Sequence, residues 1–519
     1  MEDVLKHWGP SLAIFIPLIG AAVMMLVPKA EEELHKLIAL LSSLAVLAVS
    51  VGIAVFFDYD HSGDLQFLQN QKWIEVINSR YILGIDGISL PLLLLTAVIV
   101  PLVIVYSWNH WPEPRNPKAF LILTLILETG MVGTFVAQDL ILFFVFFEVV
   151  LLPMYFMIGV WGGEQRQYAA IKFFLFTLFG SALMIVSFLA LYFLAKDGSG
   201  NALHTFSMID LARFHGDGIA HTTQLVVFGG MFMGFGIKVP IFPFHTWLPD
   251  AHTQAPTQGS VILAAVLLKL GTYGFIRIAI PILPDAAHTW APWIGLLAVI
   301  GIIYGALCCL AQTDMKRMIA FSSVSHMGFV MLGIATLTPF GLNAAVMGMV
   351  AHGLITGMLF FIAGSVKDRF HTLEIKRLGG LLLQAPRMGW LLGFCVMASL
   401  GLPGLAGFWG EFPAVLASYQ PADGLSQPLF RVYMVVAAIG TVLAASYLLW
   451  LLQRIAFGTP QDEWQGHEFH DVEPPEWIAW APLLLGIVVI GFYPNFIFHV
   501  TDGGVQQALS GVQSLAFGK

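Results

Sequence analysis

Apolar stretches of about 20 residues recur along almost the whole chain, and they restrict its possible folds more than any other feature. A helix needs roughly 20 apolar residues to cross the hydrocarbon core of a bilayer, and about fourteen such stretches can be counted. Hydrophobic residues make up 58% of the 519 residues and charged residues only 11%, whereas a soluble protein has about 25% charged residues. The sequence therefore predicts an all-α polytopic membrane protein with about fourteen transmembrane helices.

Two of these stretches contain residues that interrupt a helix. The seventh, at 222–244, has two prolines directly after Lys238, and the twelfth, at 389–416, has several glycines and a proline just ahead of Glu411. Proline removes a backbone N–H and disfavours helical geometry before it, and interrupted spans at matching places mark the sites of transporters built from inverted repeats. We therefore predict two inverted five-helix repeats, helices 4–8 and 9–13, with helices 7 and 12 broken.

The predicted repeats divide the chain into four regions. These are helices 1–3 at 1–117, the first repeat at 118–281, the second repeat at 291–457, and a loop with helix 14 at 458–519. An even number of spans places both termini on one side of the membrane. Because most lysines and arginines of the connections lie on the other side, that side is predicted to be cytoplasmic and the termini periplasmic.

Three ionisable residues lie near the middle of predicted spans: Glu148, Lys238 and Lys269. A charge at mid-membrane costs at least about 2.5–3.5 kcal/mol, so such residues usually mark an ion or proton path. One alternative is a structural ion pair between Glu148 and Lys238 that only locks two helices, although such pairs stabilise poorly. Another is a Lys269 that reaches the interface with its long side chain, although it lies far from both ends of its span.

Further polar residues lie at a similar depth. His326 and His352 are near the middle of consecutive spans, and histidine relays protons through its two ring nitrogens near neutral pH. Glu411 stands beside the break in the twelfth span, and Glu128 lies in the fourth span without an evident partner. Hydrogen-bonded core histidines and an interfacial Glu411 are the alternatives. Groups at one depth favour a file of proton sites that runs parallel to the membrane surface.

Other sequence features narrow the chemistry. His245, Asp250 and His252 lie at the predicted cytoplasmic end of the seventh span, where they either gather protons or form a polar turn. The three cysteines have no CxxC or Cys/His ligand spacing, so we expect no iron–sulfur cluster and no structural zinc. The sequence contains no basic cluster that would indicate nucleic acid, and its net charge is −8. The expected surroundings are therefore lipid.

Several blocks of the sequence resemble the antiporter-like proton-channel subunits of respiratory complex I. They are GFGIKVPIFPFHTWLPDAHTQAPTQGSVILAAVLLKLGTYG (234–274), FFEVVLLPMYFMIGVWGG (146–163) and SSVSHMGFV (322–330). Related chains of multi-subunit Na⁺/H⁺ antiporters share the first block. Glu411 narrows the resemblance to one member of the family, because the other antiporter-like subunits generally have lysine there. The length of the chain favours a bacterial source and the bacterial inner membrane.

The resemblance implies a role for each matching residue. Glu148 and Lys238 would form the ion pair of helices 5 and 7, and Lys269 would be the central proton carrier of helix 8. His326 and His352 would belong to a hydrated bridge, which ends at Glu411, the terminal proton site. All six residues, listed together, are predicted to transfer protons: Glu148, Lys238, Lys269, His326, His352 and Glu411.

The resemblance also implies partners and a division of labour. The expected function is proton translocation in an NADH:quinone oxidoreductase, beside the neighbouring antiporter-like and other membrane subunits. NADH, FMN, iron–sulfur clusters and quinone would bind to partner subunits, with no cofactor on this chain. Two alternatives stay open: the proton-path subunit of a Na⁺/H⁺ antiporter, which Glu411 disfavours, and a passive membrane scaffold.

Overall fold

The computed structural model describes residues 2–517, and these residues form an almost entirely helical protein. Twelve helices are long and apolar enough to cross a membrane by length and composition. They are Glu2–Leu26, Glu32–Phe56, Ser89–Tyr106, Pro117–Val136, Leu140–Trp161, Arg166–Leu194, Thr257–Ile282, Pro284–Leu310, Met315–Ala335, Pro339–Phe370, Gln427–Ile455 and Pro474–Phe492. The predicted all-α membrane fold is confirmed.

The seventh predicted span is interrupted where its prolines lie. Its first part is the helix His221–Lys238, which ends at the lysine itself. A turn that contains Pro240 and Pro243 follows, and the chain then forms the short helix Trp247–Gln254. Because a proline inside a helix removes a hydrogen bond and clashes with the preceding turn, these residues account for the interruption.

The twelfth predicted span is also divided. It consists of the helices Pro386–Ser399 and Ala406–Ala417. Between them, Gly401 and Gly404 have φ angles of +79° and +93°, a region that glycine adopts without the steric penalty of a side chain. Both interruptions thus lie where the sequence predicts them. The count of fourteen transmembrane helices and the two inverted repeats stay predictions.

Several elements were not predicted from the sequence. The connection after the second helix contains an antiparallel hairpin of Gln66–Ile74 and Ser79–Ile85, in which Lys72 pairs with Arg80. The exposure of the first strand is irregular, so the strand lacks the alternating pattern by which a half-buried strand is detected. The remaining short elements are Met208–Phe214, Leu381–Gln384, Asn495–Ala508 and Ser510–Phe517, with single turns at Glu75–Ile77, Ile375–Arg377 and Asp462–Trp464.

Small residues allow the helices around the Lys238 span to pack closely. A Cβ atom at Gly234 would lie 2.6 Å from Cβ of Met184, on the helix Arg166–Leu194. The next helix inward packs in the same way: a Cβ atom at Gly353, on the helix Pro339–Phe370, would lie 2.9 Å from the carbonyl oxygen of Ala265, on the helix Thr257–Ile282. Glycines spaced four residues apart permit this approach between transmembrane helices, and packing is therefore their role here.

A buried ion pair joins the helix Pro339–Phe370 to the helix Pro474–Phe492. Nη1 and Nη2 of Arg369 donate to the two carboxylate oxygens of Glu476 at 2.9 and 2.8 Å. Glu476 is fully buried, and Arg369 also donates to the carbonyl oxygens of His470 and Asp471. This network fixes the last long helix against the centre of the protein.

We expect Glu476→Gln to lower the thermal stability of the assembled protein. The substitution leaves the Arg369 charge buried without its partner, and breaking a buried pair in this way costs about 3–5 kcal/mol. The matched control is Glu463→Gln, which removes the exposed partner of Arg377. Hydrogen bonds from Arg377 lower the pKa of Glu463, so that pair is ionised at neutral pH, but water screens it and its loss has little effect. Equal stability losses in the two variants, measured by thermal denaturation, would contradict this account.

Candidate functional site

Lys269 lies at the centre of the helix Thr257–Ile282, called the Lys269 helix below. Its side chain is fully buried. The ammonium group donates to the carbonyl oxygen of Ala264 and lies 2.7 Å from Nδ1 of His352. Because an ammonium group can only donate, His352 accepts this hydrogen bond when Lys269 is charged. The two residues are therefore in direct contact, which their separation in sequence did not reveal.

The Lys269 helix contains two widened turns on either side of the lysine. Residues Leu263–Leu267 and Phe275–Ala279 have π-helical hydrogen bonding. Single π-turns within α-helices are rare and occur frequently at functional sites. The sequence contains no recognisable signal for them: the first segment is an ordinary apolar run, and the second differs only by Arg277.

His326 and Glu411 form the second contact of the site. Nδ1 of His326, on the helix Met315–Ala335, is hydrogen-bonded to Oε1 of Glu411, on the helix Ala406–Ala417. The other ring nitrogen, Nε2, lies 3.1 Å from Oγ of Ser399 and 3.2 Å from the hydroxyl of Tyr447. Both ring nitrogens are thus engaged, with the carboxylate on one side and hydroxyl groups on the other.

A short distance separates these two contacts. The ring centroids of His326 and His352 are 6.0 Å apart. A cavity of about 20 Å³ lies beside both rings and is also lined by Thr356, Ser399 and Glu411. A polar cavity of this size has room for one water molecule. Four of the six predicted site residues therefore form one polar chain, from Lys269 through His352 and His326 to Glu411, with a gap of about one water molecule between the two histidines.

Glu148 and Lys238 have a different arrangement from the one that their opposite charges suggest. They form no salt bridge, and neither Oε1 of Glu148 nor Nζ of Lys238 has a hydrogen-bond partner within residues 2–517. The Lys238 ammonium instead lies 4.7 Å from the ring centroid of Phe147. The two groups are therefore not in direct contact in this structure, although their opposite charges still attract each other, and their predicted role as an ion pair stays a prediction.

The helix that carries Lys238 packs directly on the Lys269 helix. A Cβ atom at Gly271 would lie 2.5 Å from the carbonyl oxygen of Phe235 and 3.1 Å from Cβ of Lys238. Only glycine permits so close an approach. It places the backbone of Lys238 against a residue two positions from Lys269, so the Glu148 end of the site adjoins the central lysine.

Two sequence profiles of known families match the chain. The profile described as "NADH:quinone oxidoreductase/Mrp antiporter, TM" matches residues 137–441, and that described as "NADH-ubiquinone oxidoreductase chain 4, amino terminus" matches residues 12–134. The chain belongs to the NADH:quinone oxidoreductase/Mrp antiporter family. This finding confirms the resemblance that the sequence blocks indicate.

Individual relatives in the family narrow the assignment. The chain is 40% identical to NADH-quinone oxidoreductase subunit M of Rhodobacter capsulatus over 521 residues, which cover 96% of this chain and 99% of that one. It is 39% identical to NAD(P)H-quinone oxidoreductase chain 4 1 of a Nostoc species, over 97% of this chain and 91% of that one. The narrower resemblance predicted from Glu411, to the M-type member equivalent to mitochondrial subunit 4, is confirmed.

Solved structures of the family have the same fold. A chain of respiratory complex I from Thermus thermophilus superimposes with a TM-score of 0.84 at 29% identity, covering 98% of this chain and 99% of that one. A chain of the Mrp complex from a Dietzia species superimposes with a TM-score of 0.82 at 18% identity, covering 98% and 99%. The second match shows the fold alone.

The other polar residues that the sequence analysis singled out lie outside the polar chain from Lys269 to Glu411. Glu128 is fully buried, and its carboxyl oxygens have no hydrogen-bond partner in the part of the chain that the structure describes. Oδ2 of Asp250 lies 2.7 Å from Nζ of Lys172, so this acid closes an ion pair. His245 stacks on Phe242, and His252 stacks on the ring of Phe360 at a centroid distance of 4.6 Å. The sequence therefore grouped three residues that have separate neighbours.

Ser399, Tyr447 and Phe147 are contacts of the site that the sequence analysis missed. Each lies in an apolar helix without a neighbouring charge to mark it, except Phe147, which precedes Glu148. The relevance of each residue depends on which helix lies opposite. Among residues 2–517 there is no group of three histidine, cysteine, aspartate or glutamate side chains that could hold a metal ion. The prediction that this chain carries no cofactor is not tested by this observation.

Proposed function

We propose that the chain is a proton-translocating membrane subunit of an NADH:quinone oxidoreductase. Protons move along its buried lysine, histidine and glutamate residues, and redox chemistry in other subunits drives them. NADH, FMN, iron–sulfur clusters and quinone bind to those subunits. The observation that carries this proposal is the pair of contacts Lys269–His352 and His326–Glu411, whose histidine rings lie 6.0 Å apart on either side of a small cavity. The relatives of the chain are named as quinone oxidoreductase subunits.

The proposed transfer uses the two nitrogens of each histidine. The Lys269 ammonium gives a proton to Nδ1 of His352, and that ring then releases its other proton from Nε2 to a water molecule in the cavity between the two rings. The water molecule passes a proton on to Nε2 of His326, beside Ser399. His326 passes a proton from Nδ1 to the carboxylate of Glu411. A histidine that gains a proton on one nitrogen and loses it from the other relays the charge without moving far.

The proposed driving force is electrostatic. A charge that arrives near Glu148 changes the electrostatic attraction between this carboxylate and the Lys238 ammonium group. The ammonium group then moves, and its new position changes the proton affinity of Lys269. Moving a proton against the membrane potential requires about 2.3 kcal/mol per 100 mV. Two unit charges 4 Å apart interact by about 4 kcal/mol at an effective dielectric constant of 20. A change in one such charge–charge interaction is therefore at least as large as the free energy needed to move one proton against about 100 mV.

The orientation and partners belong to the same proposal. The chain lies in the inner membrane of a bacterium, with its termini in the periplasm and the connection at 367–388 in the cytoplasm. Its partners are the other membrane subunits of the oxidoreductase, including the adjacent antiporter-like subunits. The Glu148 end and the Glu411 end are the two ends at which charge passes between neighbours.

A cation/proton antiporter subunit is the second candidate, and the match to the Mrp complex favours it for the fold alone. The glutamate at position 411 disfavours it, because the other antiporter-like subunits generally have lysine there. A passive scaffold is the third candidate. It predicts that substitutions of the buried charges impair assembly without affecting the coupling of proton transfer to electron transfer.

Purification of the native assembly that contains this chain tests the proposed function. We expect co-purification of subunits that oxidise NADH and contain FMN and iron–sulfur clusters. A stable assembly without redox subunits, which exchanges Na⁺ for H⁺ in proteoliposomes, would contradict the proposal and select the antiporter.

A further inference from the structure

The position of the Lys238 ammonium group depends on an aromatic ring. Its nitrogen lies 4.7 Å from the ring centroid of Phe147, which is within the distance at which the ring quadrupole attracts a cation. No polar atom of residues 2–517 forms a hydrogen bond with this nitrogen, and Lys238 is only 2% exposed. The ring is therefore a direct stabilising contact of this charge, beside the longer-range attraction of the Glu148 carboxylate.

Other aromatic residues hold the Phe147 ring in place. Phe143, one turn earlier on the same helix, stacks on it at a centroid distance of 5.5 Å, and Phe235 meets it edge-on at 6.3 Å. All three side chains are buried. The ring thus presents its face to Lys238 without the entropic cost of ordering a mobile side chain.

We infer that Phe147 is a positioning residue, which holds the Lys238 ammonium apart from Glu148 by a cation–π contact and so gives this lysine two resting places. This inference rests on the proposed function, because it concerns the lysine that receives the driving signal. Phe147 and Glu148 are consecutive on one helix and diverge by about 100° around its axis. The lysine therefore changes partner by rotating its side chain, while the backbones stay in place.

The strength of the cation–π contact determines how the Lys238 ammonium group is distributed between the face of Phe147 and the carboxylate of Glu148. A desolvated cation–π contact shifts an equilibrium by about 30-fold. Without the ring, the ammonium group moves to Glu148 and stays there, because this carboxylate is the opposite charge that attracts it. The charge that arrives near Glu148 then has to separate a closed ion pair in every cycle, and coupled turnover slows.

Graded fluorination of Phe147 in the assembled complex tests this inference. Fluorine withdraws electron density from the ring face and weakens the cation–π contact while it changes the size of the ring little. We expect the rate of coupled quinone reduction to fall with each added fluorine, to about tenfold for the fully substituted ring. The KM values for NADH and quinone should be unchanged. Phe147→Leu should match the most fluorinated ring, and Phe147→Trp should restore the rate, since tryptophan binds cations best.

Phe143 provides the matched control, since it is equally buried in the same aromatic cluster and has no cation on its face. Fluorination of Phe143 should leave the rate unchanged. Equal effects at positions 143 and 147, or no effect at position 147, would overturn the inference. In that case the proposed function would stand if Lys238→Ala still impaired pumping.

Discussion

Substitution of Lys269 by methionine is expected to reduce coupled quinone reduction at least about tenfold in an assembled complex. The variant keeps most of the side-chain volume but removes the ammonium group that contacts His352 and the carbonyl oxygen of Ala264. Proton transfer by a positioned group contributes about 10²–10⁴-fold to a rate, so its loss interrupts the transfer at the centre of the site. The measurement is NADH-driven quinone reduction by membranes, with NADH oxidation by an artificial acceptor as the assay for assembly.

Lys376→Met is the control for this substitution. It makes the same chemical change at an exposed lysine in the connection between two helices. We expect wild-type turnover from this variant. If Lys269→Met also retained wild-type turnover, Lys269 would not carry the proton, and the buried lysine would have only a structural role.

Glu411→Gln is expected to have an effect of similar size. Glutamine preserves the shape of the side chain, but its carbonyl oxygen is a far weaker proton acceptor than a carboxylate. His326 then retains its hydrogen bonds from Ser399 and Tyr447 but can no longer pass its Nδ1 proton forward. We therefore expect proton release to be impaired although the complex assembles, as measured by the acidification that follows a pulse of NADH.

Glu374→Gln, at an exposed position, is the control for the loss of a carboxylate. It should leave proton release unchanged. Equal losses for the two variants would indicate a general effect of charge, and full proton release from Glu411→Gln would remove this residue from the proposed path.

The sequence alone identified the broken helices and the buried charges, because both follow from local rules. Two prolines within a few residues of Lys238, and several glycines with a proline before Glu411, are local combinations that disfavour a continuous helix. A lysine far from both ends of an apolar span is expected to be buried, because its side chain reaches neither interface. The depth of His326 and His352 in their spans also predicted their proximity. Their ring centroids are 6.0 Å apart.

Contacts between helices that are distant in the chain could not be predicted from the sequence. The partner of Lys238 illustrates this, since opposite charges suggested Glu148 and the structure instead places the ammonium over Phe147. Arg277 is a second case. Nothing in the sequence indicates a partner for it, but it forms an ion pair with the buried Asp86, which is nearly two hundred positions away in the chain. Such pairings depend on helix rotation and crossing angle, which no single-sequence pattern encodes.

Proton pumping by an assembled complex with Lys238→Ala tests the central claim most directly. The purified complex is reconstituted into proteoliposomes, and the number of protons moved per NADH oxidised is compared with that of the wild type. We predict a lower ratio or strongly slowed turnover, because the driving signal no longer has a charge to displace. Glu148→Gln should give the same result. Full pumping at the wild-type rate by the assembled Lys238→Ala complex would contradict the proposed relay.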